Sequence, residues 1–141
     1  MLTCIDGRIQ RPLTDWAKER LGVDYVDTIT EPGIDSHVVA MDDAALTRLV
    51  AKVRVSQQAH RSEVLVIAGH SDCAGNPVSD HSHQAQLRQA AARLATRLPR
   101  TRIVAVHAGR CGPECWRPQL IAEVTPVPPP GGSRKDEPAH E

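Results

Sequence analysis

The strongest constraint on this chain is the run Val64-Leu65-Val66-Ile67-Ala68, followed at once by Gly69-His70-Ser71-Asp72-Cys73-Ala74-Gly75. An unbroken aliphatic and β-branched run of that length reads as a strand buried on both faces, the kind a parallel sheet uses at its centre. The run is expected to end at Gly69, where the chain can turn. Directly beyond it stand His70 and Cys73, a His-x-x-Cys pair. An imidazole and a thiolate held at the mouth of a rigid strand can converge on one metal ion. A third soft ligand, Cys4, lies far away in the sequence, within Met1-Leu2-Thr3-Cys4-Ile5-Asp6-Gly7-Arg8. It too closes a short apolar stretch and is followed by a turn glycine, Gly7.

The remaining segments alternate in type. Residues 2–4 read as a strand that starts almost at Met1, hence a truncated strand or a misplaced start. Pro12 suits a first helical turn; Leu13, Trp16, Ala17 and Leu21 follow at helical spacing, and Gly22 can close the helix. Residues 25–30 are rich in strand formers, and Glu31-Pro32-Gly33 stops them. Asp42 or Asp43 can cap a second helix that buries Leu46, Leu49, Val50 and Val53. Asp80 can cap a third, with Leu87, Ala91, Leu94 and Leu98 inward and Pro99 as its stop. His81 and His83 then fall in a first turn facing solvent, and His37 is a loop histidine able to carry a proton. Residues 103–106 form a fourth strand, and residues 120–122 a short fifth strand or a last helical turn. Residues 125–141 are Pro/Gly-rich and then charged, and are expected to be disordered. Residues 1–124 remain as one domain.

Alternating strands and helices imply an α/β fold: a three-layer arrangement with a mainly parallel four-stranded sheet and helices on both faces. With right-handed crossovers and strand order 2-1-3-4, the first and third strands are neighbours. Their carboxyl ends form the switch point where open α/β sheets bind ligands. That order would bring Cys4, His70 and Cys73 together.

Composition narrows the function. The chain has 141 residues, enough to bury a core, but no Phe and only 2% aromatics, so that core must be aliphatic. Lys+Arg and Asp+Glu both number 17, which gives no electrostatic footprint for nucleic acid or an anionic membrane. No signal-peptide pattern and no membrane-length apolar run is present, so a cytoplasmic setting is expected. In a reducing compartment the four cysteines are better ligands or free thiols than disulfides. For Cys111 and Cys115, a Cys-x-x-x-Cys pair without a partner pair, free thiols are expected, with a redox or second-metal role as the alternative.

Two thiolates and one imidazole suit Zn²⁺. Three protein ligands leave one tetrahedral position open, the arrangement of catalytic rather than structural zinc. A water there has its pKa lowered from about 16 to about 7. Asp6 and Arg8 alternate with Cys4 and share its face in extended chain. Asp6 can accept a hydrogen bond from the bound hydroxide while Arg8 holds its carboxylate. Alternatively, Asp6 fills the fourth position and shuts the site. Asp72 reads as a turn residue.

Cys4-x-Asp6-x-Arg8 with His70-x-x-Cys73 resembles the paired signature of the β-class carbonic anhydrases. The wider pattern is similar to a small, short branch of that family. It includes Cys4-Ile5-Asp6-Gly7-Arg8-Ile9-Gln10, Asp24-Tyr25-Val26-Asp27, Thr30-Glu31-Pro32-Gly33 and Gly69-His70-Ser71-Asp72-Cys73-Ala74-Gly75-Asn76-Pro77-Val78. The resemblance implies zinc on Cys4, His70 and Cys73, an Asp6–Arg8 catalytic dyad, and reversible hydration of carbon dioxide to bicarbonate and a proton. It also implies a homodimer or higher homo-oligomer, although this chain lacks the helical arm that commonly helps form the family's dimer. The scarcity of aromatics leaves no obvious apolar substrate wall. Two other functions fit the same residues: hydrolysis of carbonyl sulfide or carbon disulfide, and a non-catalytic zinc-binding or regulatory module.

Overall fold

The computed structural model describes residues 1–131. Among them the chain forms β1 (Leu2–Thr3), α1 (Gln10–Leu21), β2 (Ile29–Thr30), α2 (Ile34–Ala40), α3 (Asp43–His60), β3 (Val64–His70), α4 (Asp80–Arg97), β4 (Arg102–Gly112) and β5 (Cys115–Val124). The sheet order is β2-β1-β3-β4-β5. The first four strands are parallel, as expected from their helical crossovers, and β5 returns antiparallel to β4.

The central run behaves as its composition requires. Leu65 and Ile67 pack into a core beneath α2, α3 and α4, whereas Val66 and Ala68 pack into a second core beneath α1. Successive side chains of a strand point to opposite faces, so a strand with a helical layer on each side must be apolar throughout. Helix α3 buries Leu46, Leu49, Val50 and Val53, and Asp42 caps it by accepting from Ala45 N–H at 2.8 Å. Helix α1 ends where Gly22 adopts φ 65°, a left-handed conformation that glycine reaches without a Cβ penalty.

Several expectations need correction. Gly69 is no turn: β3 continues through it to His70. A Cβ on Gly69 would stand 2.5 Å from Asp35 Oδ2, so the glycine makes room for a buried carboxylate. Helix α2 was not anticipated, because seven residues containing Val38 and Val39 give neither a clear period nor good helix formers. Residues 25–28 are irregular, since edge strand β2 pairs only with β1, which offers Leu2 and Thr3. Strand β5 spans ten residues and is not a short strand or helical turn. Its Pro118 is tolerated because β5 lies at the sheet edge.

Ser79, not Asp80, caps α4, accepting from Ser82 N–H at 3.2 Å. His83 does not face solvent: it is fully buried, one helical turn into the core face that also carries Leu87. His37 lies on α2 and is exposed, rather than in a loop. Cys111 and Cys115 form a disulfide across the β4–β5 turn and are not free thiols. The hairpin sets their Cα atoms 4.9 Å apart, within bonding range. Beyond β5, Val127 N–H donates to the Pro99 carbonyl at 2.7 Å. The expected disorder of residues 132–141 lies outside the described residues. No described helix is long and apolar enough to cross a membrane.

Candidate metal centre

Strands β1 and β3 are adjacent, with Leu2 opposite Ile67. Helix α1 lies on one face of the sheet and α2 and α3 on the other, so the crossovers part at the carboxyl ends of this pair. Three side chains meet there. Cys4 directly follows β1, His70 is the last residue of β3, and Cys73 lies in the turn beyond. All three are buried, and one ligand atom from each lies within 4.8 Å of the others.

Two glycines bring the loops together. A Cβ on Gly75 would stand 2.7 Å from Gly33 N, and one on Gly33 would stand 2.5 Å from Gly75 O. The loop after β2 therefore lies directly on the turn that carries Cys73. Gly33 N–H also reaches the Cys4 sulfur at 3.5 Å. From the other side, Gln10 Nε2 donates to the Cys4 and Asp6 carbonyls at 2.7 and 2.9 Å. That amide holds the segment between β1 and α1 in its tight turn.

The donor set fits a metal ion of the zinc type. Two sulfurs each about 2.3 Å from a tetrahedral zinc stand about 3.8 Å apart; Cys4 Sγ and Cys73 Sγ are separated by 3.8 Å. The His70 Nδ1 lies 2.7 Å from the Ser71 carbonyl, which can only accept, so Nδ1 carries the hydrogen. The lone pair is then on Nε2, which is buried without a protein partner. A second nitrogen bonded to a carbonyl is the usual way to orient a ligating imidazole. Burial lowers the His70 pKa, which favours the neutral ring a metal needs. Burial, with the adjacent Cys4, pushes the Cys73 thiol up to about 11. A dication between the sulfurs would reverse that cost and release protons as it binds.

Asp6 is not among the converging atoms. Its carboxylate is turned to Arg8, accepting from Nη2 at 2.7 Å and from Nε at 3.1 Å to each oxygen, and from the Arg8 backbone N–H at 2.9 Å. These hydrogen bonds, above all those from the guanidinium, hold the Asp6 carboxyl below its usual range despite some desolvation. The same partner raises Arg8, already a permanent cation, further. Asp6 is paired with Arg8 in this structure.

Asp72 is more than a turn residue. Its φ of 55° is one that a short polar side chain tolerates, and it directs the carboxylate to Arg8 Nη1 at 3.1 Å and Arg110 Nη1 at 3.4 Å. Arg8, Asp72, Cys73, Ala74, Pro77 and Val78 line a cleft of about 450 Å³ beside the ligands. Ala74, Pro77 and Val78 are the apolar members of that lining. A larger groove of about 1200 Å³ runs past Met1, Ile29 and Val64, at the opposite end of β1 and β3 from the ligands. Sheet geometry assigns chemistry to the carboxyl ends, so the smaller cleft is the relevant one.

The family described as Putative carbonic anhydrase matches residues 1–122. The chain belongs to this family. Comparison with curated proteins and with solved structures found no match. The family match spans every residue of the centre and continues into β5.

Sequence reasoning missed a second polar cluster just behind the centre. Asp35, 1% exposed, accepts from His83 Nδ1 at 2.6 Å, from Asn76 Nδ2 at 3.1 Å and from Ser36 N–H at 3.0 Å. Burial pushes its carboxyl up, but the partners together outweigh burial and leave it below the usual range. The readable signal was Gly69, a glycine inside an otherwise continuous apolar strand, which marks close approach by another group.

Proposed function

We propose that this protein catalyses the reversible hydration of carbon dioxide to bicarbonate and a proton, with Zn²⁺ held by Cys4, His70 and Cys73. The observation that carries this reading is the pairing of three converging soft donors with an Asp6 that is turned away and locked on Arg8. With a metal held by the three donors, that arrangement would leave a fourth position for water. When bound, zinc would supply the Lewis acidity that activates water near neutral pH.

The chain's own groups account for the rest. Asp6, kept ionised by Arg8, accepts a hydrogen bond from the attacking water and turns its lone pair toward the substrate carbon. Ala74, Pro77 and Val78 offer a linear apolar molecule a contact surface without competing hydrogen bonds. The new C–O bond forms as one C=O π pair moves onto oxygen, and the water's proton leaves to solvent. The product anion then departs past Arg8.

The test is zinc content and carbon dioxide hydration measured on one preparation of wild type, Cys73→Ser, Asp6→Asn and Arg8→Ala. One zinc per chain is expected in all but Cys73→Ser. Asp6→Asn and Arg8→Ala should keep zinc and lose roughly 10²-fold in turnover, as at other positioned catalytic groups. Near wild-type rates in both variants would remove the dyad from the mechanism. Zinc binding with no hydration by wild type would sink the enzymatic reading, and turnover of carbonyl sulfide or carbon disulfide instead would redirect it.

A further inference from the structure

Arg8 is gripped from the far edge of the sheet as well as by Asp6. Trp116, the second residue of β5, lies beneath its guanidinium with Cζ 4.8 Å from the ring centroid. The same indole meets the His70 ring in a T-shaped pair, centroids 6.0 Å apart at 75°. Arg110, the cross-strand partner of Trp116, places its own Cζ 5.5 Å from that ring and donates to Asp72 Oδ2 at 3.4 Å. Arg8 Nη2 donates to the Asp72 carbonyl at 3.1 Å. Two carboxylates and two guanidiniums are thus arranged around one aromatic ring, at zero net charge.

This geometry matters because Arg8 has a choice. Its side chain is long, its side-chain exposure is 43%, and Asp6 and Asp72 compete for it. Held by ion pairing alone, a flexible cation at a wet surface gains little. A flat face below the guanidinium restricts it to one plane, and cation–π attraction favours the guanidinium stacking on tryptophan. In that plane Arg8 reaches Asp6 through Nε and Nη2 and Asp72 through Nη1 at the same time.

We propose that Trp116 is a positioning residue for the reaction. Its indole holds Arg8 in the plane that keeps Asp6 off the metal, and Arg110 and Asp72 complete the clamp. The β4–β5 hairpin thereby sets the posture of a dyad carried by the segment after β1. This rests on the carbonic anhydrase reading, but the clamp itself can be detected without turnover.

The decisive comparison is wild type, Trp116→Leu and Trp116→Phe, each checked for zinc content and thermal midpoint. In protein labelled with ¹⁵N-arginine, the Arg8 Nε–H signal is identified by its loss in Arg8→Lys. A ring current from the indole should displace it. Trp116→Leu should return it to the position of exposed arginines, whereas Trp116→Phe should keep most of the displacement. In the hydration assay Trp116→Leu should lose about tenfold in kcat at unchanged zinc content, and Trp116→Phe should recover to within about twofold of wild type. An Arg8 signal unmoved by Trp116→Leu would overturn the clamp. A moved signal with undiminished kcat would reduce Trp116 to a packing residue and overturn the positioning role. If wild type itself lacks hydration activity, the catalytic reading has failed, and the resonance still decides whether the clamp exists.

Discussion

Replacing Gly69 by alanine is a sharp test of how the centre is built. In an ordinary strand this change would stabilise the protein slightly, because glycine loses more backbone freedom on folding. Here the added Cβ would stand 2.5 Å from Asp35 Oδ2, 3.2 Å from its Cγ and 3.4 Å from Leu87 Cδ1. The carboxylate must withdraw by more than half an ångström, roughly the deficit from normal contact. It cannot do so freely, because the same oxygen accepts from His83 at 2.6 Å while the other is held by Asn76 and Ser36. Overpacking alone costs about 1–3 kcal/mol. Weakening a buried charge-assisted hydrogen bond adds about 1.5–3 kcal/mol, for a total of about 2.5–6 kcal/mol. For a domain of this size that is a fall in thermal midpoint of roughly 8–20 °C. Urea and thermal unfolding would measure it, with Asp35→Ala as the second arm of a double-mutant cycle. Removing the carboxylate first should make Gly69→Ala nearly neutral, so the two losses should be far from additive. A neutral or stabilising Gly69→Ala in the wild-type background would refute the account of Gly69 and Asp35 as a fitted pair.

Burial lowers the pKa of His107 below that of a free histidine, despite Asp80 nearby, so the unfolded chain binds more protons between the folded value and 6.5. Stability should therefore fall as pH drops below about 6.5, and a His107→Gln variant should show a smaller fall in urea unfolding at pH 5 against pH 7.5. Replacing both Cys111 and Cys115 by serine should cost at most about 2 kcal/mol, because a loop this short gains little from closure; a much larger loss in urea unfolding would mean the hairpin cannot form without the bond. Truncation after Val124 removes the Val127–Pro99 hydrogen bond and little else among the described residues, so it should shift stability by about 1 kcal/mol or less; a drop of many degrees in thermal midpoint would contradict this.

Parallel strands were legible as apolar runs, and Cys4, His70 and Cys73 as ligands at strand ends, because those rules act locally. The order 2-1-3-4 that makes the first and third strands neighbours had to be assumed, because crossover handedness restricts strand order without fixing it; the structure has that order, with β5 added beyond β4. What escaped the sequence depended on contacts between distant segments. Trp116 lies two residues before Pro118, a residue that argues against a strand, and only the return of β5 along β4 places it under Arg8. His83 looked like a surface residue in a polar first turn, and is buried because Asp35 supplies a partner from another helix. The disulfide was discounted from the expected compartment, whereas the hairpin turn places the two cysteines side by side.

Strand β1 is only two residues long and meets β3 at a single register pair, Leu2 opposite Ile67. So slight a ladder would fray readily by itself. A cation shared by Cys4, His70 and Cys73 would act as a rivet, tying the first strand to the sheet across a sequence separation of 69 residues. By the arithmetic used for cross-links, closing such a loop is worth about 4 kcal/mol. The reagent that empties this centre would then loosen the edge of the fold that positions it, and loss of metal and loss of shape would arrive as one event.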